Sequence, residues 1–283
     1  MVRKRAGTIV SVSLEDAAAP AAPGFARTLA KGLEVLRCFT PRDRYLGNGE
    51  IARRVGLPPQ TVSRLTYTLV ALGYLAYSSR YAKYRLANGV LAIAYPMLGG
   101  LIVRQSLRPL LAELAREFGG SVSLGTRHRD SMIYLESFNA PGSANAVAEM
   151  GSLIPIASTA MGRAWLAVAR PEERAPLLAR LAGSPAAARR LDQQAGADAD
   201  ALRTQGYCYS SGQASGRTAV AVPLAGAVDG ERLVVNCGMP RATTAEARMR
   251  DEIGPRLAQA LRGFEAVVGL NASGGPAAGP ARR

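Results

Sequence analysis

The stretch from Gly47 to Leu75, GNGEIARRVGLPPQTVSRLTYTLVALGYL, reads as two short helices joined by a tight turn. In the second, Val62, Leu65, Leu69 and Leu72 recur at i, i+3, i+7 and i+10, the spacing of one buried helical stripe. At ~100° per residue, Gln60, Ser63, Arg64 and Tyr67 fall on the opposite side. Pro58 and Pro59 suit a helix start, where a missing N–H costs nothing and φ is already set, and Gly73 suits the end. The shorter element, Glu50 to Val55, turns Ile51 and Val55 inward and leaves Arg53 and Arg54 toward solvent. Gly56 ends it, and Leu57 fills the corner. A helix, a glycine turn and a second helix with Gln, Ser and Arg exposed near its N-terminus match the geometry with which such a pair reads base edges in DNA. The plainer alternative is an αα-hairpin inside an all-helical core.

The flanks favour the first reading. Upstream, Leu29, Leu33, Leu36 and Phe39 form another helical stripe, the first helix of a three-helix unit. Downstream, Leu75-Ala76-Tyr77 and Lys83-Tyr84-Arg85-Leu86 read as two strands around a five-residue turn. A winged helix-turn-helix results, with Arg80, Lys83 and Arg85 on its wing. Its charge agrees: residues 1 to 100 hold 14 Lys+Arg against 5 Asp+Glu, whereas residues 101 to 283 hold 21 against 16. A basic field of this kind attracts phosphate and makes binding depend steeply on salt.

Composition excludes other classes. Cys38, Cys208 and Cys237 lie far apart with no CxxC pair, and His128 is the single histidine, which argues against structural zinc or a disulfide framework. No metal and no cofactor is expected. No apolar run approaches the ~20 residues of a membrane span and the N-terminus lacks the apolar core of a signal peptide, so a cytoplasmic protein without a membrane partner is expected.

In chain order, residues 1–24 read as a flexible basic arm opening on Arg3-Lys4-Arg5, and 25–87 as the winged helix-turn-helix domain. Residues 88–104 read as a linker helix with Val90, Leu91, Ala94 and Leu98 on one side, interrupted near Pro96 and Gly99-Gly100. Its exposed apolar residues require a partner, and a second subunit is the natural one. Residues 105–270 form a second domain, followed by a disordered tail over 271–283. In that domain Leu107 to Phe118 is an amphipathic helix. Ser121 to Thr126 and Ser131 to Ser137 form a hairpin. The triplet His128-Arg129-Asp130 between them mimics a kinase motif, but no Gly-rich loop or DFG accompanies it. Further strands are expected over Ala144 to Met150, Thr218 to Leu224 and Arg232 to Gly238. Helices are expected after the cap Ser158 or Thr159, over Pro171 to Leu181, in part of 183 to 203, and over Ala245 to Val268. Helices with one antiparallel sheet make an α+β domain.

The string KGLEVLRCFTPRDRYLGNGEIARRVGLPPQTVSRLTYTLVALGYL resembles the N-terminal domain of the IclR family of bacterial transcriptional regulators, and the likeness extends over about residues 25 to 270. LGTRHRDSMIYLES, GSLIPIASTAMGRAWLA and LRTQGYCYSSGQASGRTAVAVPL are similar to segments of that family's GAF-like effector-binding domain. The resemblance implies a ligand-responsive regulator that binds a near-palindromic operator on double-stranded DNA as a homodimer or dimer of dimers. Gln60, Ser63, Arg64 and Tyr67 would meet the major groove, with Thr61, Arg53, Arg80 and Lys83 alongside on phosphate. It also implies effector contacts at Ala160 and Met161, beside the cap Thr159, and at Ile154, Tyr209, Ser210 and Ala219. Family members commonly carry an acidic Asp-Asp-x-Glu run and an Arg-Cys where this chain has Ser210-Ser211-Gly212-Gln213 and Thr218-Ala219. Neutral Ser210, Ser211 and Gln213 would not repel an anion, which favours a small aromatic or aliphatic carboxylate as effector and leaves a neutral ligand open.

Two rivals stay open at this point. One is a DNA-binding protein with no small-molecule effector. The other is an enzyme using Cys208 and His128, weakened by the absence of HExxH, GxSxG, Walker A and Rossmann patterns.

Overall fold

The computed structural model describes residues 25–141, 148–212, 215–228 and 230–269. The basic arm over 1–24, Gln213 and the tail over 271–283 lie outside the described residues, as does 144–147 of the strand expected over Ala144 to Met150. The remaining part of that segment, 148–150, is irregular. Contacts divide the chain into two units, one ending at Gly100 and the other starting at Leu101, and each is described by itself.

The first unit holds α1 (Arg27–Arg37), α2 (Asn48–Val55), α3 (Pro59–Ala71), β1 (Leu75–Ser78), β2 (Lys83–Leu86) and α4 (Asn88–Gly100). α2 begins where the Gly47 N–H donates to the Glu50 carboxylate at 2.6 Å, and it ends at Gly56 in the left-handed region, which a glycine enters without strain. Asn48 Nδ2 donates to Pro59 O at 3.0 Å, fastening the start of α2 to the start of α3. β1 and β2 pair antiparallel from Leu75↔Leu86 to Ser78↔Lys83, and Leu46 adds a single bridge to Tyr84. The core joins Val35, Phe39, Leu46, Ile51, Ala52, Val62, Leu69 and Leu75.

Three details differ from the sequence reading. α1 docks through Val35 and Leu36, with Phe39 just past its end, whereas Leu29 and Leu33 stand 63% and 52% exposed. Leu72 is also exposed, because Tyr74, just past the helix, packs against the core instead. α4 runs through Pro96 to Gly100 without breaking, and none of its residues is buried.

The second unit holds α5 (Ile102–Phe118), β3 (Ser121–His128), β4 (Ser131–Asn139), β5 (Leu153–Pro155), α6 (Ala160–Val168), α7 (Pro171–Ala182), α8 (Pro185–Gln205), β6 (Cys208–Ser210), β7 (Arg217–Val228), β8 (Glu231–Pro240) and α9 (Gly254–Val268), with a π-turn over Arg248–Ile253 ahead of α9. The strands form one antiparallel sheet in the order β5-β4-β3-β8-β7-β6. Alternation along each strand sorts its residues between two cores. On one face, Leu107, Leu111, Leu114 and Phe118 of α5 and Leu257 and Leu261 of α9 pack on Val122, Leu124, Val220 and Val235. On the other, Ala160, Met161, Ala164 and Trp165 of α6 pack on Met132, Tyr134, Ala221 and Val234. A bulge between Leu124 and Gly125 carries this alternation across an irregular register. β5 and β6 have three residues each, too few for an alternating pattern to show in the sequence. Among the described residues no single helix is long and apolar enough to cross a membrane.

Candidate functional site

Two surfaces collect the residues singled out by the sequence. The first is the outer side of α3. Gln60, Ser63, Arg64 and Tyr67 are exposed, Tyr67 at 77%, and Thr61 is half buried beside them. Val62 and Leu69 hold the opposite side in the core, joined by Thr66, whose hydroxyl donates to Val62 O at 3.0 Å. The helix therefore presents a polar flank on a rigid base. Arg53 on α2 is exposed. Arg54 is not: its guanidinium bonds Cys38 O at 2.9 Å and pairs with Asp43 at 3.1 Å, tying α2 to the preceding loop. That pairing holds the Asp43 carboxyl below its ordinary range.

On the wing, Arg80 is exposed with its guanidinium 5.4 Å from the Tyr81 ring, which in turn rests on Tyr45 at 4.7 Å. Arg85 is exposed as well. Lys83 differs from its neighbours, because its ammonium pairs with Glu50 at 3.0 Å. Glu50 also accepts the Gly47 N–H, and these two contacts lower its pKa.

The second surface is the face of the large sheet beneath α6. Three rows of residues cross it. Ser210, Ala219, Gly238 and Ser121 are paired side by side, then Cys208, Ala221, Asn236, Ser123 and Ser137, then Pro223, Val234, Gly125 and Tyr134. α6 sits over these rows. Ser210 Oγ donates to Ser158 O at 3.2 Å, Thr159 Oγ1 accepts from Gly162 N at 3.2 Å as the N-cap, and Met161 lies over Gly125, where an added Cβ would meet its sulfur at 2.6 Å. Gly162 is pressed onto the turn that follows β5 so closely that a Cβ would lie 2.0 Å from Ile156 O. The first N–H groups of α6, at Ala160 and Met161, lie outside its helical ladder and form the positive end of its dipole.

Arg217 adds a cation to the same face, its Nη2 donating to Gly238 O at 2.9 Å and to Ser121 Oγ at 3.4 Å. Small residues stand at 219, 221 and 238 among polar ones. Asn236 stands there, 6% exposed, and its Oδ1 is one of two buried side-chain acceptors among the described residues with no hydrogen-bond partner. Burial raises the pKa of the neighbouring Tyr134 hydroxyl, against the pull of its hydrogen bond to Asn236 and of the Arg217 charge. The sequence reading passed over Asn236 and Arg217. The usable signal was parity: Asn236 shares a face with Val234, two residues away.

Ile154, Ala160, Met161 and Ala219 all border this apolar cluster, with the cap Thr159 and the buried Ser210 beside them, and Ser211 is half buried at the end of β6. Tyr209 does not join them. It lies between Cys208 and Ser210 on a strand, so it points to the opposite face, against the α5 and α9 core, with Arg250 4.0 Å over its ring and Thr218 Oγ1 donating to its hydroxyl. Trp165 is a core residue flanked by Arg127 and Arg232 at 5.0 and 5.9 Å.

The geometry also disposes of the cysteine enzyme. Cys208 is fully buried, and burial pushes its thiol up to about 12, the reverse of what a nucleophile needs. His128 is exposed at the tip of β3, three strands from β6, a separation of about 14 Å at ordinary strand spacing. His128-Arg129-Asp130 is a hairpin turn with Arg129 at φ +54°, and Asp130 pairs with Arg180.

Comparison with known proteins finds relatives for both units of the chain. The family model described as the IclR helix-turn-helix domain matches residues 28–79, and that of the bacterial transcriptional regulator IclR C-terminal domain matches residues 96–263. The chain is 37% identical to an IclR family transcriptional regulator of Brucella abortus of known crystal structure, with a TM-score of 0.73 over 87% of this chain and 93% of that one. It is 39% identical over 145 residues to the HTH-type transcriptional regulator TsaQ1/TsaQ2 of Comamonas testosteroni, a match spanning 50% of this chain and 52% of that protein. An IclR homologue of Microbacterium hydrocarbonoxydans, crystallised with 4-hydroxybenzoate, shares the fold at 22% identity, with a TM-score of 0.61 over 83% of this chain and 99% of that one.

Proposed function

We propose, from the premise that this chain belongs to the IclR family of bacterial transcriptional regulators, that it is a cytoplasmic repressor or activator whose α3 reads an operator and whose sheet face under α6 senses a small carboxylate. The observation that carries the first half is the polar flank of α3. Gln60, Ser63, Arg64 and Tyr67 enter the major groove, with Arg53, Thr61, Arg80 and Arg85 on the phosphates. The family's C-terminal domain is its effector domain. In this chain the positive end of α6, Arg217 and the neutral Ser210 and Ser211 favour an anion there. The 4-hydroxybenzoate held by the Microbacterium relative is a carboxylate of the proposed kind.

The domain assignment follows: 25–87 binds DNA, 88–104 links, and 105–270 is a GAF-like sensor. α4 exposes Leu91, Ile93, Tyr95 and Met97, between 54% and 69%, and has no buried residue. A second copy of the chain covers this helix, giving a dimer, or a dimer of dimers, matched to a near-palindromic operator. Ligand binding shifts the balance between two placements of the DNA-binding heads, so DNA and ligand alter each other's affinity equally.

The test is a titration of fluorescent DNA from the promoter beside the protein's own gene, at low salt, with and without a panel of small carboxylates. Tight binding that one of them changes supports the reading. Indifference to that DNA at low ionic strength overturns it. A thermal-shift screen in which no carboxylate registers favours a DNA-binding protein without an effector.

A further inference from the structure

We infer that the ion pair of Glu50 with Lys83 holds the wing in the position from which α3 meets the bases of its operator, so that both are positioning residues for DNA reading. The inference rests on the reading of α3 as the element that enters the groove. Its own support is a junction at the start of α2. Glu50 accepts the Gly47 N–H at 2.6 Å and receives the Lys83 ammonium, from 33 residues further on, at 3.0 Å. Asn48 Nδ2 meanwhile donates to Pro59 O at 3.0 Å, at the first residue of α3. Residues 47–50 therefore reach the wing on one side and the reading helix on the other.

The wing needs such a tie. A two-stranded hairpin with four residues per strand has little rigidity of its own. Its base is fixed by Leu75 in the core, with Tyr84 against that core, and Leu46 adds backbone bonds to Tyr84 of 3.0 and 2.9 Å. The last pair before the turn, Ser78↔Lys83, adds nothing to the core, and it is there that Glu50 takes hold, alongside the ring contact of Tyr81 with Tyr45. Because the cap fixes the Glu50 carboxylate, the ammonium it holds is located too, and with it the strand that follows Arg80. Phosphates and bases respond differently to a wing that swings. A long arginine follows a phosphate across a small displacement, whereas base-edge bonds are lost outside about half an ångström. The pair therefore acts on the choice between sequences. Its two charges cancel, so it adds little to the electrostatic attraction.

The test uses the full chain carrying Glu50→Gln and Lys83→Met together, which removes the pair, keeps an acceptor for the Gly47 N–H and leaves the net charge unaltered. Fluorescence anisotropy measures binding to the promoter duplex beside the protein's own gene and to a scrambled duplex of the same length. Both are titrated over a range of salt, at a temperature where circular dichroism shows the variant folded. Promoter binding is expected to weaken about threefold or more, with scrambled binding and the salt slope unaltered. Lys83→Arg, which can still pair with Glu50, is expected to keep the unaltered chain's preference. A double variant that discriminates as well as the unaltered chain overturns the inference and leaves α3 as the reader. A loss shared by both duplexes overturns it too, and a salt slope lower by about 1 then makes Lys83 a phosphate ligand. An unaltered chain that treats the two duplexes alike removes the operator reading, and the inference with it. If the double variant does not fold, Lys83→Met compared with Lys83→Arg decides by the same ratio.

Discussion

α3 and α6, the helices proposed to meet DNA and a ligand, are built in opposite ways. α3 starts at Pro59 with no side-chain cap, keeps Val62, Thr66 and Leu69 inside, and sends Gln60, Ser63, Arg64 and Tyr67 into solvent. α6 starts on a Thr159 cap and buries Ala160, Met161 and Gly162 against the sheet, so that only backbone groups of its first turn can be recognised. The difference follows from the size of the target. A duplex is read by side chains long enough to enter a groove. A small anion is gripped by main-chain dipoles that cannot swing away, and this requires a helix locked in place. The part-buried bidentate pair of Arg163 with Asp198, at 2.8 and 2.5 Å, adds to that lock from α8.

The largest expected effect tests the locked helix. Gly162→Ala forces a methyl into Ile156 and should destabilise the second unit by about 3 kcal/mol, read by denaturant unfolding. Gly49→Ala on α2, where nothing lies within 4 Å, should instead stabilise the first unit, by up to about 1 kcal/mol. Equal costs at the two sites would erase the contrast. Next, Arg64→Ala should weaken operator binding by ~1–3 kcal/mol and relax preference at one base pair. A uniform loss across operator variants would move Arg64 from base reading to backbone contact.

Thr159→Ala should cost about 1 kcal/mol in the second unit and leave ligand-free operator binding unaltered, with Thr159→Ser restoring it. The smallest effects concern the wing. Arg80→Ala should reduce the salt slope of DNA binding by about 1, whereas Lys83→Ala, already paired, should barely change it. Because the Glu50 pKa is lowered on folding, its contribution is present above the ordinary Glu value of about 4.3 and lost as pH falls through the folded value. Unfolding curves between pH 5 and pH 3 should show less than about 1 kcal/mol of that loss, absent in Glu50→Gln.

The helix-turn-helix was legible because its signals are local: caps, a glycine turn and a helical period within 29 residues. Leu29 and Leu33 show where periodicity stops. An apolar stripe looks the same whether it meets its own core or another molecule, and here it meets neither within its unit. In the second unit the antiparallel strands long enough to alternate were readable, whereas β5 and β6 were not. Tyr209 was misplaced because a strand turns each successive residue over, so one position of shift exchanges a site for a core. Arg54 and Lys83 looked free because their partners, Asp43 and Glu50, lie 11 and 33 residues away. Asn236 sits in a run of apolar neighbours, and its place between Ser123 and Ala221 shows only once the strands on either side are known.

The sheet that carries the sensor is bounded by β5 and β6, its two shortest members. Three residues offer a stray chain only a couple of free hydrogen bonds, too few to seed stacking of one copy's sheet upon another's. β5 shields β4 only over 131–133 and β6 shields β7 only over 219–221, so the protection these short strands give against strand addition is confined to those stretches.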